Sequence, residues 1–230
     1  ESKVWFNDGI WWGSLWDDVT DDFWIYRLDV TNQQWVKTAT RLDTRTNARS
    51  DALWDGSKLY VASHVFSESP ANGYPAYLQR FSYNSTTDTY SLDTGFPVAI
   101  NNAKSETLVI DEDSTGRLWA TWTQDRRVYL STSAAGGASW SAPAALAPAG
   151  TNLNSDDISS LVAFGGDRIG VMWSNQNAST MNFSVHRDTD PTTSWSSAEV
   201  AYSGSGFADD HINLKGVADQ NGRIVAAVKT

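Results

Sequence analysis

One short pattern recurs along this chain at an interval typical of repeat architectures. A turn delivers Lys or Arg, and an apolar run follows at once. The copies are Gly56-Ser57-Lys58-Leu59-Tyr60-Val61-Ala62, Gly116-Arg117-Leu118-Trp119-Ala120-Thr121-Trp122, Gly166-Asp167-Arg168-Ile169-Gly170-Val171-Met172-Trp173 and Gly222-Arg223-Ile224-Val225-Ala226-Ala227-Val228. Their basic residues stand 59, 51 and 55 positions apart. A looser copy, Asp8-Gly9-Ile10-Trp11-Trp12-Gly13-Ser14-Leu15, opens the chain. A period of this length marks stacked supersecondary units, each too small to bury its own apolar face.

Other segments keep step with the pattern. An acid-bearing run lies upstream (Ser50-Asp51, Ser105-Glu106, Asp156-Asp157, Asp209-Asp210-His211). A third run lies downstream (Phe23-Trp24-Ile25, Ala76-Tyr77-Leu78, Val128-Tyr129-Leu130, Met181-Asn182-Phe183). A fourth is anchored by Trp35, Tyr90, Trp140 and Trp195. Each unit therefore predicts four short strands. Residues 59–62, 118–122, 169–173 and 224–228 are apolar on both alternating faces, so both sides of that strand should be covered by neighbouring sheets. The expected fold is all-β, a β-propeller of four-stranded antiparallel blades in one domain. A sandwich or two small β domains is the competing arrangement. The blades fall at about 1–45, 46–100, 101–150 and 151–204, with a partial one at 205–230. An open sheet face with an unpaired edge is a liability, so remaining blades or a partner chain are expected to complete the ring.

Composition narrows the function classes. The net charge is −10, which argues against nucleic-acid partners and anionic membranes. There are no cysteines, which excludes thiolate metal sites and cysteine nucleophiles and is compatible with export. No run approaches the roughly 20 apolar residues that membrane insertion needs. Glu1 in place of Met suggests a processed or trimmed start.

Strand direction locates a candidate site. The first strand of each unit starts, and the second ends, at one mouth of the central channel. The starts contribute Asp51, Glu106, Asp156, Asp157, Asp209, Asp210 and His211. The ends contribute His64, Thr123, Gln124, Ser174, Asn175, Gln176 and Lys229, and Asp17 and Asp18 follow the first copy. Crowded carboxylates raise one another's proton affinity and suit acid/base work, and a hard cation such as calcium could sit among their oxygens. The same acids could equally accept turn amides and clip blade to blade. Asp111-Glu112-Asp113-Ser114-Thr115-Gly116 has the composition of a calcium loop, but it lacks the distal glutamate and joins two strands on the opposite face, so it reads first as an ordinary acidic turn. Trp11, Trp12, Trp16 and Trp24 suit either a glycan platform or blade packing. His186, on a third strand, is expected at the surface.

Ser133-Ala134-Ala135-Gly136-Gly137-Ala138-Ser139-Trp140 resembles the Asp-box repeat of bacterial neuraminidases (Ser-x-Asp-x-Gly-x-Thr-Trp), with Ala135 at the aspartate position. Ser184-Val185-His186-Arg187-Asp188 followed by Trp195 is an expanded echo. The repeat likeness covers nearly the whole chain and is similar to the secreted, sialidase-like propellers of bacteria. The resemblance implies a propeller and sugar chemistry. Sialidases also carry an Arg-Ile-Pro start motif, three arginines and a tyrosine nucleophile. The Arg-Ile-Pro motif is absent here, and neither an arginine triad nor that tyrosine is assigned.

The expected function is an extracellular carbohydrate-interacting propeller, binding or cleaving a polysaccharide at an acidic mouth. A hydrolase would use Asp157, Asp210 and Glu106 as its carboxylates, with His211 and His64 as orienting or base groups. A lyase would put one of those histidines first. Asp51, Asp156, Asp209, Gln124, Asn175, Gln176 and Lys229 would bind substrate. The alternatives are a non-catalytic interaction module of a larger surface protein and a purely structural propeller.

Overall fold

The computed structural model describes residues 1–204, 211–216 and 222–229. Among these there is no α-helix, and so none long and apolar enough to cross a membrane. The first sheet is a meander of β1 (Val4–Asn7), β2 (Ile10–Asp17), β3 (Asp22–Asp29) and β4 (Gln34–Asp43). The second begins with β5 (Ala48–Trp54) and β6 (Lys58–Val65). The ribbon strand β7 (Ala71–Asn72) follows, and then β8 (Tyr77–Asn84), which pairs with both β9 (Thr89–Leu92) and β10 (Val98–Ala99). β11 (Ala103–Lys104) returns to pair with β7. The third sheet holds β12 (Val109–Glu112), β13 (Leu118–Gln124), β14 (Arg127–Thr132) and β15 (Ala144–Ala145). The fourth holds β16 (Ser159–Phe164), β17 (Arg168–Asn175), β18 (Thr180–Arg187) and β19 (Glu199–Ser203), and the fifth pairs β20 (Ile212–Gly216) with β21 (Ile224–Val228).

Local chemistry sets these hairpins. Asp8-Gly9 and Asp125-Arg126 are two-residue connections with both residues at positive φ, the turn whose twist matches paired strands. Between β12 and β13, Asp113 Oδ1 accepts the Thr115 and Arg117 amides at 2.9 and 3.1 Å, and its Oδ2 accepts Trp119 Nε1 at 2.8 Å. That carboxylate is thus occupied by its own turn, so the segment from Asp111 to Gly116 is the acidic turn of the two readings. The Ser133–Trp140 box is a tight turn as well. Ser133 Oγ accepts the Leu118 amide at 3.0 Å, and the buried Gly137 lies at φ 77.

The core lies between sheets. Leu59 and Val61 of β6 face the first sheet, whereas Tyr60 and Ala62 face the third. Leu118, Ala120 and Trp122 of β13 face the second sheet, and Trp119 faces the fourth. Val162 and Met172 meet Ile212 and Leu214 of the fifth. Burial on both faces thus holds for β6, β13 and β17. It fails for β21, whose central residues are exposed because, among the described residues, only one of its faces is packed. Trp140 and Trp195 also depart from expectation. They sit ahead of the outer strands β15 and β19 and pack back onto the sheet. His186 is fully buried, its ring 4.7 Å from Trp119 and 5.3 Å from Trp195.

Candidate functional site

The first strands of the sheets run side by side, β1 by β5, β5 by β12, β12 by β16 and β16 by β20. Hydrogen bonds tie them: Asp51 Oδ2 accepts the Ile110 amide at 2.8 Å, and Asp111 Oδ2 accepts the Ala163 amide at 2.7 Å. Lys215 Nζ donates to Ser2 Oγ at 2.6 Å, linking the fifth sheet to the start of the chain. A shaft of about 250 Å³ lies among these strands, with Asp51, Asp111 and Lys215 in its wall. It shares Glu1 and Asn213 with a wider cavity of about 520 Å³, the mouth.

Glu1, Lys3, Arg49, Glu106, His211 and Lys229 supply the charged and titratable lining of the mouth, with Phe66 and Ile158 as apolar wall. Arg49 lies over the Phe66 ring at 5.2 Å. Lys3 Nζ donates to Glu1 Oε2 at 2.9 Å, and Glu1 Oε1 lies 2.6 Å from His64 Nε2. Burial alone would raise the Glu1 carboxyl, but the His64 hydrogen bond and the charges of His64 and Lys3 hold it at about 2. It is therefore a fixed anion. In the shaft the balance reverses. Burial pushes Asp51 up and Asp111 to about 6, against the amides each accepts.

Four of the expected site residues line the two cavities: Glu106, His211 and Lys229 at the mouth, and Asp51 deeper, in the shaft. Asp209 and Asp210 lie outside the described residues. The others are engaged elsewhere. Asp157 has no exposed surface, and its oxygens accept the Asn154 and Gln176 amides at 2.6 and 3.0 Å. Gln176 Nε2 donates to the Asp156 carbonyl at 3.1 Å, and Asn175 Oδ1 accepts the Ala178 amide at 3.0 Å. These four clasp the β17–β18 turn and are not among the residues around the mouth. Burial raises the Asp157 carboxyl against those amides. His64 is fully buried, and its Nε2 meets Glu1, which in turn lines the mouth. Gln124 lies on the flank, its Nε2 donating to Asn72 Oδ1 at 2.9 Å. Asp17 is held within the first sheet by Thr20 and Lys37.

The mouth is also mixed rather than acidic among the described residues, since Lys3, Arg49 and Lys229 face Glu1 and Glu106. Sequence reasoning missed Glu1, Lys3 and Arg49. Arg49 had a usable signal, because it stands two positions before Asp51 and so shares its strand face. The tryptophans do not form one platform. Trp12 is core, Trp11 and Trp16 are exposed, and Trp24 lies under Lys37 and Arg41 at 5.0 and 5.7 Å. No group of three or more acids or histidines among the described residues is placed to hold a metal ion.

No protein-family model matches the chain, and no curated protein matches it by sequence. Solved structures do. A protein of unknown function from Dyadobacter fermentans is 12% identical with a TM-score of 0.54, over 93% of this chain and 66% of that one. The NanB sialidase of Streptococcus pneumoniae is 13% identical with a TM-score of 0.51, over 89% of this chain and 32% of that one. The catalytic domain of a Coprinopsis cinerea GH62 alpha-L-arabinofuranosidase is 11% identical with a TM-score of 0.49, over 77% and 62%. This chain thus spans less than two thirds of each of these proteins. At such identities the likeness is one of fold, and the stacked four-stranded sheets are consistent with a β-propeller.

Proposed function

We propose that this chain is an extracellular carbohydrate-interacting propeller that takes a polysaccharide at the mouth of its central shaft, and that the polysaccharide carries acidic units. One observation carries this reading: a mouth of about 520 Å³ where the sheets converge, lined by cations, carboxylates and a histidine. Concave sites with a few convergent polar groups are where ligands are held. The whole chain repels polyanions by its net charge of −10, so local cations would have to supply the selectivity. The Arg49 guanidinium, seated over Phe66, is a planar fork suited to a sugar carboxylate. Lys229, Glu106 and His211 would complete the contacts. The sialidase among the fold relatives adds support for sugar chemistry at the level of fold alone.

The test is retention of the full chain on immobilised galacturonan, alginate and polysialic acid. At least one should bind, and Arg49→Ala should weaken it about tenfold, the loss expected for one charge-assisted contact. Absence of binding to all three would overturn the reading.

Cleavage is a second reading, favoured by the Asp111 carboxyl, held at about 6 in the shaft beneath the mouth and so able to carry a proton near neutrality. Reducing-end release that Glu106→Gln or Asp111→Asn abolishes would support it. Binding without turnover would leave the chain a non-catalytic module.

A further inference from the structure

Among the described residues, three cations of the mouth, Lys3, Arg49 and Lys229, stand against two carboxylates, Glu1 and Glu106. Lys3 and Arg49 do not meet a ligand on equal terms. Lys3 Nζ donates to Glu1 Oε2 at 2.9 Å and to the Ser50 carbonyl, so its charge is already answered within the protein. Arg49 Nη1 donates to the Ala48 carbonyl at 2.9 Å and its guanidinium lies over the Phe66 ring, and neither of these partners carries a charge.

Glu1 is itself clasped. Its Oε1 accepts the Leu108 amide at 3.3 Å and lies 2.6 Å from His64 Nε2. The Glu1 carboxyl is ionised and can only accept, so the proton of that contact sits on Nε2. His64 and Ser105 have no exposed surface, and Ser105 Oγ lies 3.4 Å from His64 Nδ1. The imidazole is thus held at both nitrogens. It stands opposite Arg49 in the β5–β6 register, and Phe66, two positions on, bridges to Ser105. Arg49, its aromatic support and the clasp on Glu1 therefore meet at one junction, where β6 runs beside the segment before β12.

Specificity comes from repelling the wrong ligand as well as from attracting the right one. A ligand carboxylate can meet Arg49 without displacing a protein carboxylate. A second anionic group can take Lys3 only by expelling Glu1, which breaks charge-assisted bonds to Lys3 and His64. The Glu1 side chain is 14% exposed, so a ligand anion beside it would feel a poorly screened like charge. The charge balance agrees. One positive charge is in excess among the described lining residues, enough to answer one ligand anion, and without Glu1 there would be two.

Resting on the mouth as the polysaccharide site, we propose that Glu1 sets its specificity. It limits the bound polymer to one anionic group per sugar unit, and His64 is the positioning residue that keeps it on Lys3.

Surface plasmon resonance of the full chain on galacturonan, alginate and polysialic acid, each native and O-sulfated, tests this. At least one native polymer should bind, and its O-sulfated form should bind about tenfold more weakly or worse. Glu1→Gln keeps the side-chain shape and an acceptor for His64. It should shrink the ratio of native to O-sulfated affinity about tenfold while the circular dichroism spectrum stays that of the parent. His64→Leu should shrink the ratio in part, and His64→Gln, which keeps a donor toward Glu1, should restore the parent's ratio. Added to Glu1→Gln, His64→Leu should change the ratio no further. A merely structural histidine would shift it in both backgrounds, and that result would overturn the positioning role. If the parent binds native and O-sulfated polymer alike, or if Glu1→Gln still excludes the O-sulfated form, the Glu1 proposal falls and the mouth reading stands. If no native polymer binds, both fall.

Discussion

β13 and β21 start from the same device, a Gly-Arg step into an apolar run, and end in opposite surroundings. Leu118, Trp119, Ala120 and Trp122 have no exposed surface, whereas Val225 is 59% exposed and Ala226 and Ala227 after it are exposed too. β13 has a sheet on each side, and β21, among the described residues, packs on only one. The contrast teaches that an apolar pattern on both faces states what a strand can tolerate, while burial is conferred by neighbours some 50 residues away in sequence. The stabilisation carried by the two strands should differ accordingly.

The largest effect is expected at Trp119. Trp119→Ala removes a buried ring packed against His186 and Trp195. It should cost about 3–5 kcal/mol in urea unfolding, by loss of transfer energy and creation of a cavity. A loss below about 1 kcal/mol would mean that the third and fourth sheets are not packed as described. Asp113→Ala comes next. It strips the acceptor from two turn amides and the Trp119 indole, and should cost about 2–3 kcal/mol.

pH separates two acids that stand two residues apart. The Asp111 carboxyl is raised to about 6, above its unfolded value. Its contribution is therefore present below about pH 4 and is lost as pH rises toward 6. Asp113 is lowered, as burial is outweighed by its hydrogen bonds to Thr115 and Trp119. Its contribution is therefore present above about pH 4 and is lost as pH falls further. Chemical melts between pH 3 and 7 should show Asp111→Asn gaining on the parent across pH 4 to 6, on the order of 2 kcal/mol. A difference that is flat with pH would place Asp111 in water rather than in the shaft.

The smallest effect belongs to β21. Val225→Thr should stay within about 0.5 kcal/mol, as for other exposed positions. A loss above about 1.5 kcal/mol would erase the contrast with β13, because it would require a second cover over this face.

Much of the frame was legible because its causes are local. The turn-basic-apolar repeat, the aspartates and glycines of the turns, and apolar residues on both strand faces all act within a few positions. They led to an all-β chain with several four-stranded antiparallel sheets and to the tight turn around Asp113. Partner choice was not legible. Asp51 and Asp157 are both acids near a strand start. One lines the shaft and binds the amide of Ile110, 59 residues on, and the other is enclosed by the amides of Asn154, in its own turn, and of Gln176, in the β17–β18 turn.

From the sequence by itself came the repeat, the strands and the tight turns, since a handful of adjacent residues decides a backbone conformation. Only the tertiary structure decided which residues line a cavity, that Arg49 joins the mouth, and that His186 is buried against Trp119 and Trp195. The physical reason is register. The offset at which one sheet packs on the next is set by the summed fit of many side chains, and no single segment carries it.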